Sequence, residues 1–372
     1  MKTRDSSQTA PAFSEGGPRG LLRRRFIALG TATGLGTLPF AAPAAETPLT
    51  QRFAALYRAA AKEGQVIYYT DQRQETAQRL SAFWRENLPD VRLLITPIGS
   101  PALVAQVETE RAAGQHRVDV THMSQLYVAE IWKKKGFYQP YKTTSMARFA
   151  PDYADATGAY YSPEVYVLPV AYNTKTFPDR KSLPKKLADF LDPKWKGKMV
   201  LPDPSTSGNT LTFFVSMMAK GLIDWPYMEK LAKQELLFVR GNPDAVRMIA
   251  SGERVLTPTL SSFNIMTAKK AGQAIDYYAL DEGSIVIKSA MGIMAGTQRP
   301  NAARLLMEVL MSPEGQALLA EGGTFWPADA GVPLEAGIPP MSSLHPLPTP
   351  APADAETIAT FITRFKQVFD RR

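Results

Sequence analysis

Leu201–Phe214 reads LPDPSTSGNTLTFF, a turn of small polar residues that joins an apolar, strand-like run to the start of an apolar, helix-like run. A strand feeding a helix through a polar turn is the repeating unit of an α/β protein. The turn, with Ser205, Thr206, Ser207, Gly208 and Asn209, admits two readings. Ser, Thr and Asn cap helices by accepting hydrogen bonds from the first unpaired amides. Those same amides, at the positive end of the helix dipole, also suit a phosphate or carboxylate. The stretch alone leaves both open.

The alternation continues on either side. Upstream, PLTQRFAALYRAAAKEG has apolar residues at helical spacing and stops at Gly64, QVIYYT is a short apolar strand, and QETAQRLSAFWREN is helical again. VRLLITPI, ALVAQVETERAAG, VDVTHM and QLYVAEIWKKKG keep the rhythm of a parallel sheet flanked by helices. A Pro- and Tyr-rich stretch over 137–172 interrupts it. A second α/β unit follows in KMVLPD, the helix after STSGNT, ELLFVRGNP, DAVRMIASGE, RVLTPTL and AIDYYAL. GSIVIKSAMGIMAG is a long extended run, and NAARLLMEVLMSPEGQALLAEGG supplies two helices. PPMSSLHPLPTPAPADAE is Pro-rich and predicts a surface wrap before a last amphipathic helix, ETIATFITRFKQVFD.

Residues 1–44 differ from this body. Arg23-Arg24-Arg25 precedes FIALGTATGLGTLPF, a weakly apolar run of 15 residues, and Ala42-Pro43-Ala44 supplies a small-residue cleavage site. That is the pattern of an export signal, too short for the roughly 20 residues that span a bilayer. The Arg23-Arg24 pair followed by Phe26 and Ile27 resembles a twin-arginine signal, with Leu22 where Ser or Thr is usual. Cleavage would start the mature chain near Ala45 and lower the net charge from +8 to +4, since six basic and two acidic residues leave. So modest a charge calls for neither nucleic acid nor a membrane surface. The chain has no cysteine, which excludes disulfides, thiol nucleophiles, Cys-ligated metals and a lipidated cysteine. A soluble periplasmic protein without a lipid tether is the expectation.

Ligands of open α/β sheets sit beyond the carboxyl ends of the strands. That singles out TDQR with Thr70 and Arg73, THMSQ with Ser124, RGN with Asn242, and LSSFN with Ser261 and Ser262. The Arg73 fork suits a carboxylate or phosphate, although a solvated arginine fits the local sequence equally well. The three histidines, 116, 122 and 345, have no zinc-site spacing. SLPK at 182–185 lacks the companion motifs of serine-lysine enzymes. A nucleophilic Ser207 would need a neighbouring base, and its turn contains neither His nor Lys. Polar turns without an acid-base pair look like a place that binds and not one that reacts.

LADFLDPKWKGKMVLPDPSTSGNT and LLMEVLMSPEGQALLAEGG, with VAYNTKTF and RGNPDAVRMIASGE, resemble the solute-binding proteins of bacterial ABC importers. The branch they resemble includes ferric-ion, phosphonate, thiamine and sugar-phosphate binders. The resemblance implies the type II periplasmic-binding-protein fold, two α/β lobes joined by two crossover strands and closing on one solute. On that basis lobe 1 would comprise 45–165 and 290–340, lobe 2 would comprise 166–289, and a Pro-rich segment with a C-terminal helix would fill 341–372. The crossovers would lie near 166–173 and 283–293. The ferric branch carries a histidine where Arg73 stands, a glutamate where Ser124 stands, and a tyrosine pair where Ser261, Ser262 and Phe263 stand. Without those oxygens a hard Fe(III) ion lacks an adequate cage. Its companion-anion cradle does match, in Ser207, Gly208 and Asn209 with Asn242 as a further donor. The implied function is therefore a monomeric, non-enzymatic receptor that delivers a small anionic solute, a phosphonate, phosphate ester or carboxylate, to an inner-membrane ABC permease. No cofactor and no nucleic acid is implied. The alternatives are ferric-ion binding through a non-standard site and a secreted hydrolase using the same cleft.

Overall fold

Two short helices, α1 (Pro48–Arg52) and α2 (Ala54–Glu63), form where the sequence predicts one, and Gly64 ends the second at φ 75°, a left-handed conformation that glycine adopts without a Cβ penalty. This is a computed structural model that describes residues 47–321, 325–349 and 355–369. All of them belong to one unit, Ala44–Arg372. The export signal expected over 1–44 lies outside the described residues.

Strand β1 (Gln65–Thr70), helix α3 (Gln74–Asn87), β2 (Arg92–Pro97), α4 (Ser100–Ala112), β3 (Val120–Met123) and α5 (Leu126–Lys134) follow in alternation. β1 pairs in parallel with β2 and with β3. Val66 and Tyr68 pack with Tyr57, Leu80 and Trp84, while Tyr69 packs on the other face with Leu103 and Trp132. Both faces are thus covered by helices, as parallel sheets require.

After 3-10 turns the chain enters β4 (Glu164–Leu168) and, past Pro169, β5 (Val170–Asn173). β6 (Val200–Pro202) then runs through the hydroxyl-rich turn into α6 (Gly208–Ala219). Beyond α7 (Trp225–Ala232), β7 (Leu237–Val239) runs into α8 (Asn242–Ser251), and β8 (Leu256–Thr257) into α9 (Ser262–Lys270), before β9 (Ile275–Tyr278). β6 and β7 are parallel, and a parallel bridge between Met199 and Leu256 sets β8 beside β6. Three parallel strands, each continuing into a helix, bring the N-termini of α6, α8 and α9 to one edge of the second lobe.

β10 (Ser284–Lys288) pairs antiparallel with β4. From this pair the chain leaves in two directions. β5 joins β8 and β9 in the second lobe, whereas β11 (Ala290–Ile293) joins β3 in the first. The fold is therefore the two-lobed type II arrangement, with two crossover strands between the lobes. Helices α10 (Pro300–Met311) and α11 (Pro313–Ala320) return the chain to the first lobe, and α10 packs on α2 and β1.

β12 (Trp326–Pro327) and β13 (Pro346–Pro348) flank the crossover pair, giving the order β12-β4-β10-β13. The Pro-rich segment is thus not only a surface wrap. Its prolines lack N–H groups and are tolerated in an edge strand. Gly283 admits this strand, because its φ is 103° and a Cβ there would lie 2.2 Å from His345 O. Helix α12 (Ala355–Val368) follows, and its Phe365 packs against Phe214 of α6 and Phe238 of β7.

Candidate functional site

The second-lobe edge begins with the turn of the opening stretch. Ser207 is the N-cap of α6, and its Oγ accepts bonds from Thr210 N at 3.4 Å and Thr210 Oγ1 at 3.1 Å. The capping reading is therefore realised, but it occupies only the acceptor side of the hydroxyl. The amides of Gly208 and Asn209, in the first turn, have no intrahelical acceptor. A Cβ built on Gly208 would meet nothing within 4 Å, so the backbone there is approachable.

The other two hydroxyls of the turn are exposed and locally engaged. Ser205 donates from N and Oγ to Asp203 Oδ1, at 2.9 and 2.7 Å. Thr206 Oγ1 donates to Arg240 O at 2.7 Å, which binds this turn to the one after β7. Both residues shape the turn, and the geometry does not bring their hydroxyls together with Ser207.

At the neighbouring helix starts the polar groups are left open. Asn242 opens α8 with a buried Oδ1 that has no protein partner. Ser261, fully buried, stands at the N-cap of α9 without making a cap bond, and its Oγ is also unpartnered. Ser262 is different, since its Oγ accepts from Val167 N at 3.2 Å and ties α9 to the crossover. Asn209 Oδ1 accepts from Tyr166 Oη at 2.9 Å, so the edge is also tied to the crossover.

Across from this edge, the first lobe presents the ends of β1 and β3. Thr70 is buried and its Oγ1 accepts from Gln72 N at 3.2 Å, a local turn bond. Ser124 donates its N–H to Asp71 Oδ2 at 2.7 Å, locking the two strand-end turns together. Burial raises the Asp71 carboxyl above its ordinary range, against the lowering effect of the bonds from Ser124. Arg73 reaches over to the second lobe, where Nη1 donates to Thr267 Oγ1 at 2.9 Å and the guanidinium lies 5.9 Å from the Phe263 ring centre. Burial lowers its pKa, but a guanidinium stays charged in proteins.

Between the lobes lies a floor supplied by β4. Glu164 and Tyr166, two residues apart, project to the same face of the strand. Glu164 accepts a hydrogen bond from Gln72 Nε2. His122 of β3 holds its Nε2 at 3.8 Å from Glu164 Oε2 and its Nδ1 at 2.8 Å from Tyr68 Oη. The two are not an ion pair. Burial pushes the imidazole down to about 3 and the carboxyl up to about 8, with the Asp71 charge adding to the latter, so both are neutral at pH 7. Tyr166 meets Phe263 edge-on with ring centres 5.4 Å apart, and Phe263 stacks on Phe325.

The sequence pattern points to the strand ends and helix starts but misses Asp71, Gln72, Glu164 and Tyr166 as parts of one assembly. One signal was available. Glu164 is a lone acid in the run EVYVLPVAYN, where a buried strand would leave it in need of a partner. Among the described residues no group of three His, Cys, Asp or Glu could hold a metal ion, and no helix is long and apolar enough to cross a membrane.

The pattern of the bacterial extracellular solute-binding protein family matches residues 78–343. The iron uptake protein A1 of Synechocystis is 24% identical over 349 residues, which are 86% of this chain and 90% of that protein. Among solved structures, iron-bound HitA from Pseudomonas aeruginosa superposes with a TM-score of 0.70 at 20% identity, over 82% of this chain and 99% of HitA. AfuA from Actinobacillus pleuropneumoniae, solved with fructose-6-phosphate bound, superposes with a TM-score of 0.68 at 17% identity, over 83% of this chain and 99% of AfuA.

Proposed function

Because the chain belongs to the bacterial extracellular solute-binding proteins, we propose that it is the receptor of an ABC importer and that its cargo is a small organic anion held between the lobes. The observation that carries this reading is the alignment of three helix starts, α6, α8 and α9, along one edge, with Arg73 reaching from the first lobe to Phe263 and Thr267 of α9. Two of them offer buried side-chain atoms without a protein partner, Asn242 Oδ1 and Ser261 Oγ. Ser261 can donate its hydroxyl proton, and the Asn242 amide can turn its N–H₂ toward an acceptor. Helix-start amides, a hydroxyl and a guanidinium are all donors, and donors select a phosphate, phosphonate or carboxylate.

In this reading Ser207, Gly208, Asn209, Asn242 and Ser261 hold the anion from the second lobe, and Arg73 approaches it from the first. Thr70, Ser124, Ser205, Thr206 and Ser262 act on shape rather than on the solute. We place the lobe boundaries at 45–165 with 290–340 and at 166–289, with 341–372 as a C-terminal addition. Residues 1–44 direct export, by the twin-arginine route on the strength of Arg23-Arg24, and the mature receptor works untethered and as a monomer in the periplasm beside its permease. The cleft binds without turning its cargo over, since neither the Ser207 nor the Ser261 hydroxyl is hydrogen-bonded to a basic side chain.

Names of relatives keep iron as a second reading, supported by the iron uptake protein of Synechocystis. Native mass spectrometry of protein purified without refolding separates the two. An added mass of an organic anion supports the first reading. An added mass of iron, with or without a small counter-anion, contradicts it and supports the second.

A further inference from the structure

The floor of the cleft makes its own chemical demand on the cargo, and the inference rests on the anion reading above. Three buried polar atoms, Gln72 Oε1, His122 Nε2 and Glu164 Oε1, have no protein partner. Their neighbours fix what each can do. A buried phenol needs an acceptor for its hydrogen, so Tyr68 Oη donates to His122 Nδ1 across 2.8 Å, and the proton of the neutral ring is assigned to Nε2. His122 therefore offers a donor. Gln72 gives its amide hydrogen to Glu164 Oε2, which leaves its carbonyl oxygen as an acceptor. Glu164 Oε1 accepts when the group is ionised, and the group also donates when protonated.

A mixed set of this kind discriminates among ligand groups. An ammonium only donates and would face the Nε2–H of His122. A carboxylate only accepts and would leave the Gln72 carbonyl oxygen without a hydrogen. A metal ion would meet a proton on the ring nitrogen, not a lone pair. A hydroxyl donates and accepts at once. The floor also lies in line with the anion edge: Glu164 and Tyr166 share a face of β4 about 7 Å apart, and Tyr166 Oη bonds Asn209 at 2.9 Å. One solute of several carbon atoms can reach both.

We propose that Gln72, His122 and Glu164 form a subsite for hydroxyl groups, so that the cargo is a hydroxylated organic anion with its charged end at the starts of α6, α8 and α9. Calorimetric titration with matched pairs tests this: glycerol phosphate against propyl phosphate, a hexose phosphate against hexyl phosphate, and gluconate against hexanoate. The wild-type protein binds the hydroxylated member of at least one pair more than about tenfold tighter, the loss expected when a buried polar site is left unpaired. Gln72→Leu and Glu164→Met erase that preference and leave the affinity for the alkyl partner in place. Gln72 sits on a partly exposed turn, so its variant reports even where Glu164→Met fails to fold. Equal affinity within every pair that binds, or a preference that survives Gln72→Leu, overturns the hydroxyl subsite alone. No binding by any of the six probes overturns the anion reading and the subsite with it.

Discussion

The second-lobe edge and the crossover floor surround the same cleft with different chemistry. The edge is made of donors at helix starts, lies on loops, and carries no carboxylate among the residues assigned to the anion. The floor combines Gln72 of a turn with two titratable side chains inside strands, Glu164 and His122, both neutral because burial disfavours their charged forms. The edge can hold charge because the peptide dipoles already face it. The floor sheds charge because burial outweighs the compensation that Gln72, Arg73 and Arg79 give Glu164, and it presents hydrogen-bond geometry instead. A receptor built this way reads one end of a solute by its charge and the other by its pattern of donors and acceptors.

The strongest contrast concerns Arg73, which reaches from the first lobe to Thr267 in the second. Replacing it with Ala should weaken binding of an organic phosphate by about 1.5–3 kcal/mol, the range for a hydrogen bond to a charged group. Calorimetry with a fixed phosphate ester reads this. A loss confined to thermal stability would remove Arg73 from the binding machinery.

The floor predicts a pH signature that the edge does not share. Glu164 has a folded pKa raised from 4.5 to about 8, so its contribution is full below 4.5 and is lost as pH rises through 8. His122 has a folded pKa lowered from 6.5 to about 3, so its contribution is full above 6.5 and is lost as pH falls through 3. The two slopes oppose each other between 4.5 and 6.5. Above that window Glu164 acts alone and should remove about 2 kcal/mol of stability by pH 8. Denaturant midpoints of the wild type and Glu164→Gln across this range provide the check. The variant should lack the alkaline decline, and parallel curves would mean that Glu164 is not neutral in the folded protein.

Within the edge itself, the exposed hydroxyls should separate from the buried ones. Ser205→Ala and Thr206→Val remove bonds to Asp203 and Arg240, and each should cost about 0.5–1.5 kcal/mol of folding stability without changing affinity. Ser261→Ala should do the reverse, because its Oγ has no protein partner to lose. Paired thermal melts and titrations would expose any residue whose behaviour crosses over.

The same division explains what could be read from the residues in advance. Helices and strands were legible because their apolar periods are local, and the edge was legible because small polar residues punctuate two apolar runs. Which hydroxyls the turn uses internally was not, since Thr206 is engaged by Arg240 O, 34 residues away. Glu164 was harder still. Its hydrogen-bond partner Gln72 is 92 residues away, and its neighbours in sequence describe only a buried strand. The edge strand at 346–348 was hidden by its prolines, which ordinarily argue against pairing.

Gly208 offers the most direct test of the claim that the helix starts hold the anion. Its φ is not left-handed, and a Cβ there meets nothing within 4 Å, so Gly208→Val extends into open space at the start of α6 without meeting the protein at its Cβ. Titration of wild type and variant with the anion identified by mass spectrometry, at a temperature where both are folded, is the measurement. A large loss of affinity with little change in melting temperature is the expected result. Unchanged affinity would contradict it and leave Ser205–Asn209 as a helix cap and nothing more.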